Sequence, residues 1–196
     1  MIPFTAQLLD LANPQAIVQY EQAFYRAFCT LTHNQLIRTL WQWDRPQQRL
    51  ATRIGYDQQR IYVGRDAQGE IAMAIAVNTE LHVYQSSAFG FAPPPTKQGQ
   101  CELLAFFALH NHSLRDVLHF WRGCFKDLSA CGYHTGFASS AVRLVPVYSR
   151  AGGEILAETI IEGEQRFHWK FDLNRQWLRG VNQDCSSNTV SNQRAQ

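Results

Sequence analysis

A polar segment, residues 110–115, follows an apolar stretch at residues 101–109 and precedes a pattern with helical spacing. The apolar stretch has the length of a buried strand, and Ser113, with Asp116 three residues later, has the pattern of a helix N-cap. A helix N-terminus directly after a buried strand is a place where proteins hold a phosphate or pyrophosphate. Residues 110–115 are therefore candidates for binding a phosphorylated molecule.

Four side chains in this region could do chemistry. His110, His112 and Arg115 could contact a phosphate, or they could be ordinary solvated loop residues. For Arg115 an anionic partner is favoured, because cations are disfavoured near a helix N-terminus. Glu102 is a carboxylate at the start of an otherwise apolar strand. This position indicates a general base, with a strand-end residue that faces water as the alternative.

The elements that would position these residues follow from the spacing of apolar and turn residues. Gly132 ends the predicted helix, residues 134–140 return as a strand, and residues 141–153 form a short helix that Ser139 and Ser140 would cap. The apolar residues of the longer helix share one face: Leu114, Leu118, Trp121, Phe125 and Leu128.

Two strands are predicted at the end of the ordered chain, over residues 153–163 and 164–173, with a turn at Glu162-Gly163. In the second strand, aromatic residues alternate with polar ones, which is typical of a half-buried strand. The aromatic set is Phe167, Trp169 and Phe171, and the polar set is His168, Lys170 and Asp172.

The N-terminal half contains two predicted helices and a hairpin. Asn13-Pro14 has the pattern of a helix start, with Pro at the first helical position, and apolar spacing continues to about residue 30. A second helix is predicted over residues 32–43, ended by Asp44-Arg45-Pro46. Residues 61–78 are predicted to form a hairpin, and residues 81–91 a further strand.

The composition favours one compact domain. The chain has 196 residues, 45% of them hydrophobic and 17% charged, and this length can bury a sizeable core unaided. We predict a single domain over residues 1–178 and a polar, disordered tail over residues 179–196. A net charge of +2 without a Lys- or Arg-rich run argues against nucleic acid as a partner.

The five cysteines form no Cys-x-x-Cys pair, and Cys101, Cys124 and Cys131 lie in apolar segments as predicted buried residues. This usage is typical of a reducing compartment, so a cytoplasmic location is expected. The first residues lack the pattern of a signal peptide, and no apolar run is long enough to span a bilayer. No group of His, Cys or carboxylates has the spacing of metal ligands, so no metal is expected.

The order strand, polar loop, helix, strand, short helix resembles the core of the GCN5-related N-acetyltransferase (GNAT) superfamily. Tyr148-x-x-x-Gly152 is similar to the Tyr-x-x-x-Gly-Phe segment near the end of that fold, with Gly153 in place of Phe, and residues 61–78 look like its central hairpin. The resemblance covers residues 60–173. It implies an α+β fold with a mixed, largely antiparallel sheet flanked by helices, and N-acyltransfer from a thioester to a primary amine.

The resemblance also implies roles for individual residues. Backbone N–H groups of residues 104–109 would polarise the thioester, Glu102 would take the amine proton or bind the amine, and Tyr148 would protonate the leaving thiolate. Tyr148 could instead be a core tyrosine. The residues implied in binding the donor are Phe106, Phe107, Ala108, Leu109, His110, His112, Ser113, Leu114, Arg115, Ser139 and Ser140.

Two departures from the family pattern bear on the donor. The family's phosphate loop reads Gln/Arg-x-x-Gly-x-Gly/Ala, but Ser113 and Arg115 stand where glycines belong. Either coenzyme A is not the donor, or side chains hold the phosphate, which suits the phosphopantetheine arm of an acyl carrier protein. The string Glu102-Leu-Leu-Ala-Phe106 is similar to the Glu-x-Ser-Arg-Phe strand of acyl-homoserine-lactone synthases, with Leu104 and Ala105 replacing Ser and Arg.

Aromatic residues exceed what an acetyl group requires, and some could line a long acyl pocket, although an ordinary core accounts for most of them. The set is Trp41, Trp43, Phe89, Phe91, Phe106, Phe107, Phe120 and Trp121. The sequence thus favours transfer of a fatty acyl group from coenzyme A or an acyl carrier protein to the amine of an amino acid or peptide side chain. Acetyl-CoA-dependent acetylation and an inactive GNAT fold that serves as a binding module stay open as alternatives.

Overall fold

The computed structural model describes residues 4–30, 35–95, 97–110 and 112–174. Its strands are β1 (Gln7–Leu8), β2 (Trp41–Asp44), β3 (Arg49–Thr52), β4 (Gln59–Arg65), β5 (Ile71–Asn78), β6 (Gln100–Ala108), β7 (Thr135–Ala141), β8 (Glu154–Ile161) and β9 (Glu164–Asp172). Its α-helices are α1 (Pro14–Phe28), α2 (Gln35–Leu40), α3 (Leu114–Ala130) and α4 (Val145–Arg150).

Seven of these strands form one sheet in the order β1-β4-β5-β6-β7-β9-β8, while β2 and β3 form a separate ribbon. Neighbouring strands of the sheet are antiparallel except β6 and β7, which are parallel and are connected by α3. Parallel neighbours need such a crossover connection. The predicted α+β fold with a mixed, largely antiparallel sheet is confirmed.

α1 covers one face of the sheet. The side chain of Asn13 accepts hydrogen bonds from the N–H groups of Gln15 and Ala16, and Pro14 occupies the first turn, so the predicted helix start is confirmed. The buried face of α1 packs on β4, β5 and β6, where the rings of Phe24 and Phe107 stack 5.5 Å apart.

α3 covers the opposite face of the sheet. It packs there on the alternate strand residues, which point away from α1. The predicted apolar stripe is confirmed, with Trp121, Phe125 and Leu128 buried. The helix ends where Gly132 adopts a left-handed φ of 89°, a conformation that glycine tolerates without a steric penalty.

The second predicted helix is wrong at its C-terminal end. α2 stops at Leu40, and Trp41–Asp44 is strand β2, paired with β3. The ring of Trp41 lies 4.8 Å from those of Phe24 and Phe28, and this packing against α1 overrides the helical spacing. The predicted start of that helix lies outside the described residues.

The strand predicted over residues 81–91 is also wrong. This segment contains a 3₁₀ turn at Gln85–Phe89. Its backbone is held by side chains rather than by a neighbouring strand, since Asn78 donates to the carbonyl oxygen of Val83 and Glu102 accepts from the N–H groups of Gln85 and Ser86. Apolar alternation alone cannot reveal such side-chain anchors.

The C-terminal hairpin is confirmed, with its turn at Glu162 and Gly163, whose φ angles are 51° and 78°. One detail differs: His168 is buried rather than exposed. The ring of Phe91 stacks on it at 5.0 Å, and the hydroxyl of Tyr84 is hydrogen-bonded to its Nε2 at 2.6 Å. The predicted tail, residues 179–196, lies outside the described residues.

Two further predictions concern cysteine and the membrane. Cys101 and Cys124 are buried as predicted, whereas Cys131 is exposed because it follows the last turn of α3. Among the helices that the structure describes, none is long and apolar enough to cross a bilayer.

Candidate active site

β6 and β7 are paired along only part of their length. Gln100–Leu103 pair with Thr135–Ala138, yet β6 continues to Ala108 and β7 to Ala141. Beyond the paired residues the strands separate, and the gap opens into a cleft with a cavity volume of about 60 Å³. Side chains from both strands, from α4, from β9 and from the turn at Gln85–Phe89 form its walls.

A β-bulge lies where the gap opens. The register between β5 and β6 shifts between Ala76 and Val77, so Leu104 is an extra residue on β6. A bulge bends its strand and increases the local twist, which favours the separation of β6 from β7. The carbonyl oxygen of Leu104 accepts a hydrogen bond of 2.7 Å from Nε2 of Gln85, another residue of the cleft.

Two backbone N–H groups of β6 point towards the gap. The N–H of Leu109 donates to the carbonyl oxygen of Ala72 on β5 at 2.7 Å. Because residues of an antiparallel pair alternate in bonding, Phe106 and Ala108 direct their N–H groups away from β5. Within the described ranges these two groups have no hydrogen-bond partner, so either of them can donate to a carbonyl oxygen that gains negative charge. Ala105, Phe107 and Leu109 direct their N–H groups towards β5 and cannot do so, which corrects that part of the prediction for residues 104–109.

Tyr148 lies in the wall of the cleft and is 4% exposed. Its ring packs against those of Trp121, Trp169 and Phe171, with centroids 5.0, 5.5 and 5.8 Å away. Its hydroxyl has no hydrogen-bond partner among the residues that the structure describes. Burial raises the pKa of Tyr148, and the positive charge of Arg166 opposes that rise. The hydroxyl is therefore protonated at neutral pH and can donate a proton.

Glu102 is fully buried, so its interpretation as a residue facing water is wrong. Its Oε1 accepts hydrogen bonds from the N–H and hydroxyl of Ser86 at 2.7 and 2.6 Å, and its Oε2 accepts one from the N–H of Gln85 at 2.9 Å. Burial raises the pKa of Glu102, and these hydrogen bonds oppose that rise. Glu102 is not part of the cleft wall; it fixes the turn that brings Gln85 and Phe89 to the cleft.

Arg166 is a cleft residue that sequence reasoning missed. It is 5% exposed, and its Cζ lies 4.5 Å from the ring centroid of Phe89. The alternation along β9 gives no signal for it, because a charged residue in such a strand ordinarily faces water. Arg166 escapes that pattern because the turn carrying Phe89 covers this end of the sheet.

The polar loop lies outside the cleft wall. His110 is exposed with a left-handed φ of 68°, and Arg115 is exposed in the first turn of α3. Ser113 is the N-cap of that helix, as predicted, and its hydroxyl donates to Oδ2 of Asp116 at 2.6 Å. The Asp116 carboxylate makes this terminus less attractive to a second anion, so a phosphate here would depend on the neighbouring side chains.

His112 and Leu114 are both partly buried. The ring of His112 lies 4.8 Å from that of Phe4 in an edge-to-face arrangement, which fixes the imidazole against the N-terminal segment. Its Nε2 is buried and has no hydrogen-bond partner among the described residues. A role in holding a phosphate stays a prediction for the whole segment.

The remaining predicted donor residues are distributed over both faces of the sheet. Phe107 belongs to the core under α1, whereas Phe106 lines the cleft. Ser139 and Ser140 both line the cleft, but neither caps α4, because both lie within β7 and the N-cap is Leu144. The hydroxyl of Ser140 instead accepts a hydrogen bond of 2.8 Å from Nε1 of Trp169.

Only part of the aromatic surplus faces the cleft. Trp41, Phe89 and Phe106 line it, together with Phe28, which the sequence did not single out. Phe120 and Trp121 belong to the core under α3. In the part of the chain that the structure describes, no three His, Cys, Asp or Glu side chains lie close enough together to hold a metal ion.

In sequence, no family model and no curated protein matches this chain. In structure, the CoA-dependent acyl-homoserine lactone synthase BjaI with MTA superposes with a TM-score of 0.68 over 89% of this chain and 86% of that chain, at 13% identity. The AHL synthase LasI gives 0.66 over 87% and 90%, at 12% identity.

A protein assigned to the GNAT family of acetyltransferases, from Desulfovibrio desulfuricans, superposes with a TM-score of 0.54 over 86% of this chain and 99% of that chain, at 12% identity. Identities this low establish a shared fold and not a shared activity. The fold is thus that of the GNAT acetyltransferases and acyl-homoserine lactone synthases, and the predicted resemblance is confirmed.

Proposed function

We propose that this chain is an N-acyltransferase that moves a fatty acyl group from the thioester of coenzyme A or an acyl carrier protein to the primary amine of an amino acid or peptide side chain. The observation that carries the proposal is the cleft between β6 and β7, whose walls include Tyr148, several apolar side chains, and Phe106 with a backbone N–H that is unpaired within the described residues. The similar fold of BjaI, which binds SAM and isopentyl-CoA, supports this class of reaction.

In the proposed reaction, the amine nitrogen attacks the carbonyl carbon of the thioester. The carbonyl oxygen gains negative charge beside the N–H group of Phe106, a cleft residue. The C–N bond forms, the C–S bond breaks, and the nitrogen releases one proton to water. The leaving sulfur takes a proton from the hydroxyl of Tyr148, and solvent returns a proton to that oxygen. The products are an amide and a free thiol.

Glu102 acts in this proposal as a positioning residue. Its two oxygens already accept three hydrogen bonds from Gln85 and Ser86, which leaves them poorly placed to reach an amine in the cleft. By fixing the turn, Glu102 fixes Gln85, whose side chain is bonded to the carbonyl oxygen of Leu104. The β6 backbone next to the reacting carbonyl is thereby held in one geometry.

The apolar side chains of the cleft wall support the choice of a fatty acyl group. Leu104, Phe106 and Leu144 present apolar surface, and Ala105 and Ala141 leave room between the strands. Burying each additional methylene of a ligand contributes about 0.8 kcal/mol. The phosphate of the donor would lie near the first turn of α3, where the exposed side chains of His110 and Arg115 are accessible to coenzyme A or to a phosphopantetheine arm.

The test is turnover with a matched set of donors. Acyl-CoAs from C2 to C16, and the same acyl groups on acyl carrier protein, are incubated with the protein and a mixture of L-amino acids that omits cysteine, because its thiol reacts with thioesters and with the thiol reagent. Released thiol is measured with a chromogenic reagent, and N-acyl products are identified by mass spectrometry. The proposal predicts equal amounts of thiol and amide, with rates that rise with chain length.

Two results would replace the proposal with the alternatives. Turnover of acetyl-CoA with no preference for longer chains would indicate an ordinary acetyltransferase. Binding of acyl-CoA without release of thiol, for any acceptor and either donor, would indicate a GNAT fold that serves as a binding module.

A further inference from the structure

Arg166 has a buried hydrogen-bond donor that the rest of the described chain does not satisfy. Its Nη2 lies 2.7 Å from Oε2 of Glu164, and its guanidinium lies over the ring of Phe89. Its Nε is buried and has no hydrogen-bond partner in the described residues. Burying a donor without a partner is unfavourable, and more so where the group is charged. A bound ligand would supply the missing acceptor.

The position of Arg166 indicates where such a ligand would lie. Arg166 pairs with Ala141, the last residue of β7, and lines the same cleft as Tyr148. Its charge is close enough to Tyr148 to act on the pKa of that hydroxyl. Arg143, exposed at the rim, adds a second positive charge that would attract an anion. The cleft wall thus carries two arginines, of which Arg166 is also paired with Glu164, beside the proposed point of reaction.

The chemistry of arginine defines the ligand group. A guanidinium presents its donors in a planar fork, which suits the two oxygens of a carboxylate or phosphate. In the proposed reaction the donor's phosphate lies towards the start of α3, on residues that are not part of this wall. The anion at Arg166 therefore belongs to the acceptor, and an acceptor amine with an anionic group a few bonds away is an amino acid.

Resting on the proposed function, we propose that Arg166 binds the carboxylate of the acceptor, and that the acceptor is a free amino acid with its α-amino and α-carboxylate groups intact. The side-chain amine of a protein lysine has no carboxylate at that distance, so protein acylation is disfavoured. Arg166 is then the residue that determines specificity for the acceptor, while Tyr148 and the β6 backbone act on the thioester.

The test compares acceptors that differ in one group. For each L-amino acid that is turned over, the corresponding amino-acid amide is assayed, in which a neutral carboxamide replaces the carboxylate. The KM of the wild-type protein should be about 10²-fold higher for the amide. Arg166→Gln should raise the KM for the amino acid by a similar factor and leave the KM for the amide and for the acyl-CoA unchanged. The KM of Arg166→Lys for the amino acid should lie between those of the wild-type protein and Arg166→Gln.

The control is Arg150→Gln, which removes an exposed arginine at the end of α4, outside the cleft wall. It should change neither the KM for the acceptor nor the KM for the acyl-CoA. A higher KM for the acyl-CoA in Arg166→Gln, with acceptor constants unchanged, would assign the anion to the donor's phosphate and overturn the proposal. Equal KM values of the wild-type protein for amino acid and amide would also overturn it.

A binding measurement separates this proposal from the proposed function. The melting temperature is recorded with each L-amino acid and each amide in the absence of any thioester, for the wild-type protein, Arg166→Lys and Arg166→Gln. Stabilisation by amino acids and not by amides, lost in Arg166→Gln, would support the carboxylate site even if no acyl transfer occurred. Amides that stabilise the protein as well as amino acids do would contradict it.

Discussion

The carbonyl oxygen of Tyr148 accepts a hydrogen bond of 2.9 Å from the N–H of Gly153, and it also lies 2.9 Å from where a β-carbon on Gly153 would stand. Such a β-carbon would come within 2.8 Å of Phe171 and 2.9 Å of Trp169 as well. These aromatic rings also hold the ring of Tyr148. Glycine at position 153 therefore permits the packing that places Tyr148 in the wall of the cleft.

Gly153→Ala should lower the free energy of unfolding by about 1–3 kcal/mol, because an added methyl group overpacks a filled site. It should also reduce turnover, since relief of the overlap moves α4 and Tyr148. Urea denaturation and thiol release measure the two effects. The control is Gly69→Ala, a left-handed turn position with open space around it, which should lose stability and keep its turnover. Unchanged stability of Gly153→Ala would contradict the account.

Tyr148→Phe should lower kcat by about 10²-fold while the protein stays folded. The hydroxyl has no partner in the described structure, so its removal costs no hydrogen bond, and only the leaving thiolate loses its proton donor. Steady-state thiol release and thermal unfolding check both statements. Tyr20→Phe is the matched control, because it removes another buried hydroxyl without a described partner, outside the cleft. An unchanged kcat would remove Tyr148 from the mechanism.

Glu102→Gln should destabilise the protein by about 2 kcal/mol, because the amide NH₂ replaces an oxygen that accepts the N–H of Gln85 and leaves a buried donor unsatisfied. The pH dependence of kcat should stay that of the wild-type protein. Glu80→Gln, an exposed position near the same turn, should change neither property. Full stability combined with loss of the acidic limb of the pH profile, where a base becomes protonated, would show that Glu102 is the base.

Burial lowers the pKa of His168 below its ordinary value near 6.5, so the folded protein holds this imidazole neutral. The unfolded chain takes up a proton as the pH falls through 6.5, and the folded chain does so only at lower pH. The free energy of unfolding should therefore be highest above pH 6.5 and fall between 6.5 and the folded pKa.

Urea denaturation between pH 7.5 and 5 measures this effect in the wild-type protein and in His168→Gln, which lacks the titrating group. The difference in stability between the two should shrink as the pH falls, by about 1.4 kcal/mol for each unit by which the pKa is lowered. A difference that is constant across this range would show that His168 does not titrate in this way.

The helices and hairpins that depend on local periodicity could be predicted from the sequence. The cap of α1 at Asn13, the apolar stripe of α3 and the alternation in β9 follow from rules that act within one element. Trp41 shows the limit of those rules. Its helical spacing is genuine, but Trp41 also packs on Phe24 and Phe28 of helix α1, and this contact between two elements favours a strand.

The candidate site could be predicted only in part, because contacts between separate elements also decide which of its residues are buried. Tyr148 and Phe106 lie in the cleft, and the resemblance to the GNAT fold points to both. Arg166 carries no local signal, because its burial depends on the turn that Glu102 anchors from another strand. The buried state of Glu102 was likewise hidden, since a carboxylate in an apolar strand does not reveal which distant N–H groups it accepts.

The measurement that tests the central claim most directly is a melting-temperature series with free coenzyme A and acyl-CoAs from C2 to C16. It is performed on the wild-type protein and on Ser139→Leu, which narrows the cleft, with Thr135→Leu on the same strand but outside the cleft wall as control. If an acyl chain lies between β6 and β7, stabilisation should rise with chain length in the wild-type protein and in Thr135→Leu. In Ser139→Leu the stabilisation by long chains should be lost. Equal stabilisation by free and acylated coenzyme A, or identical curves for all three proteins, would contradict the claim.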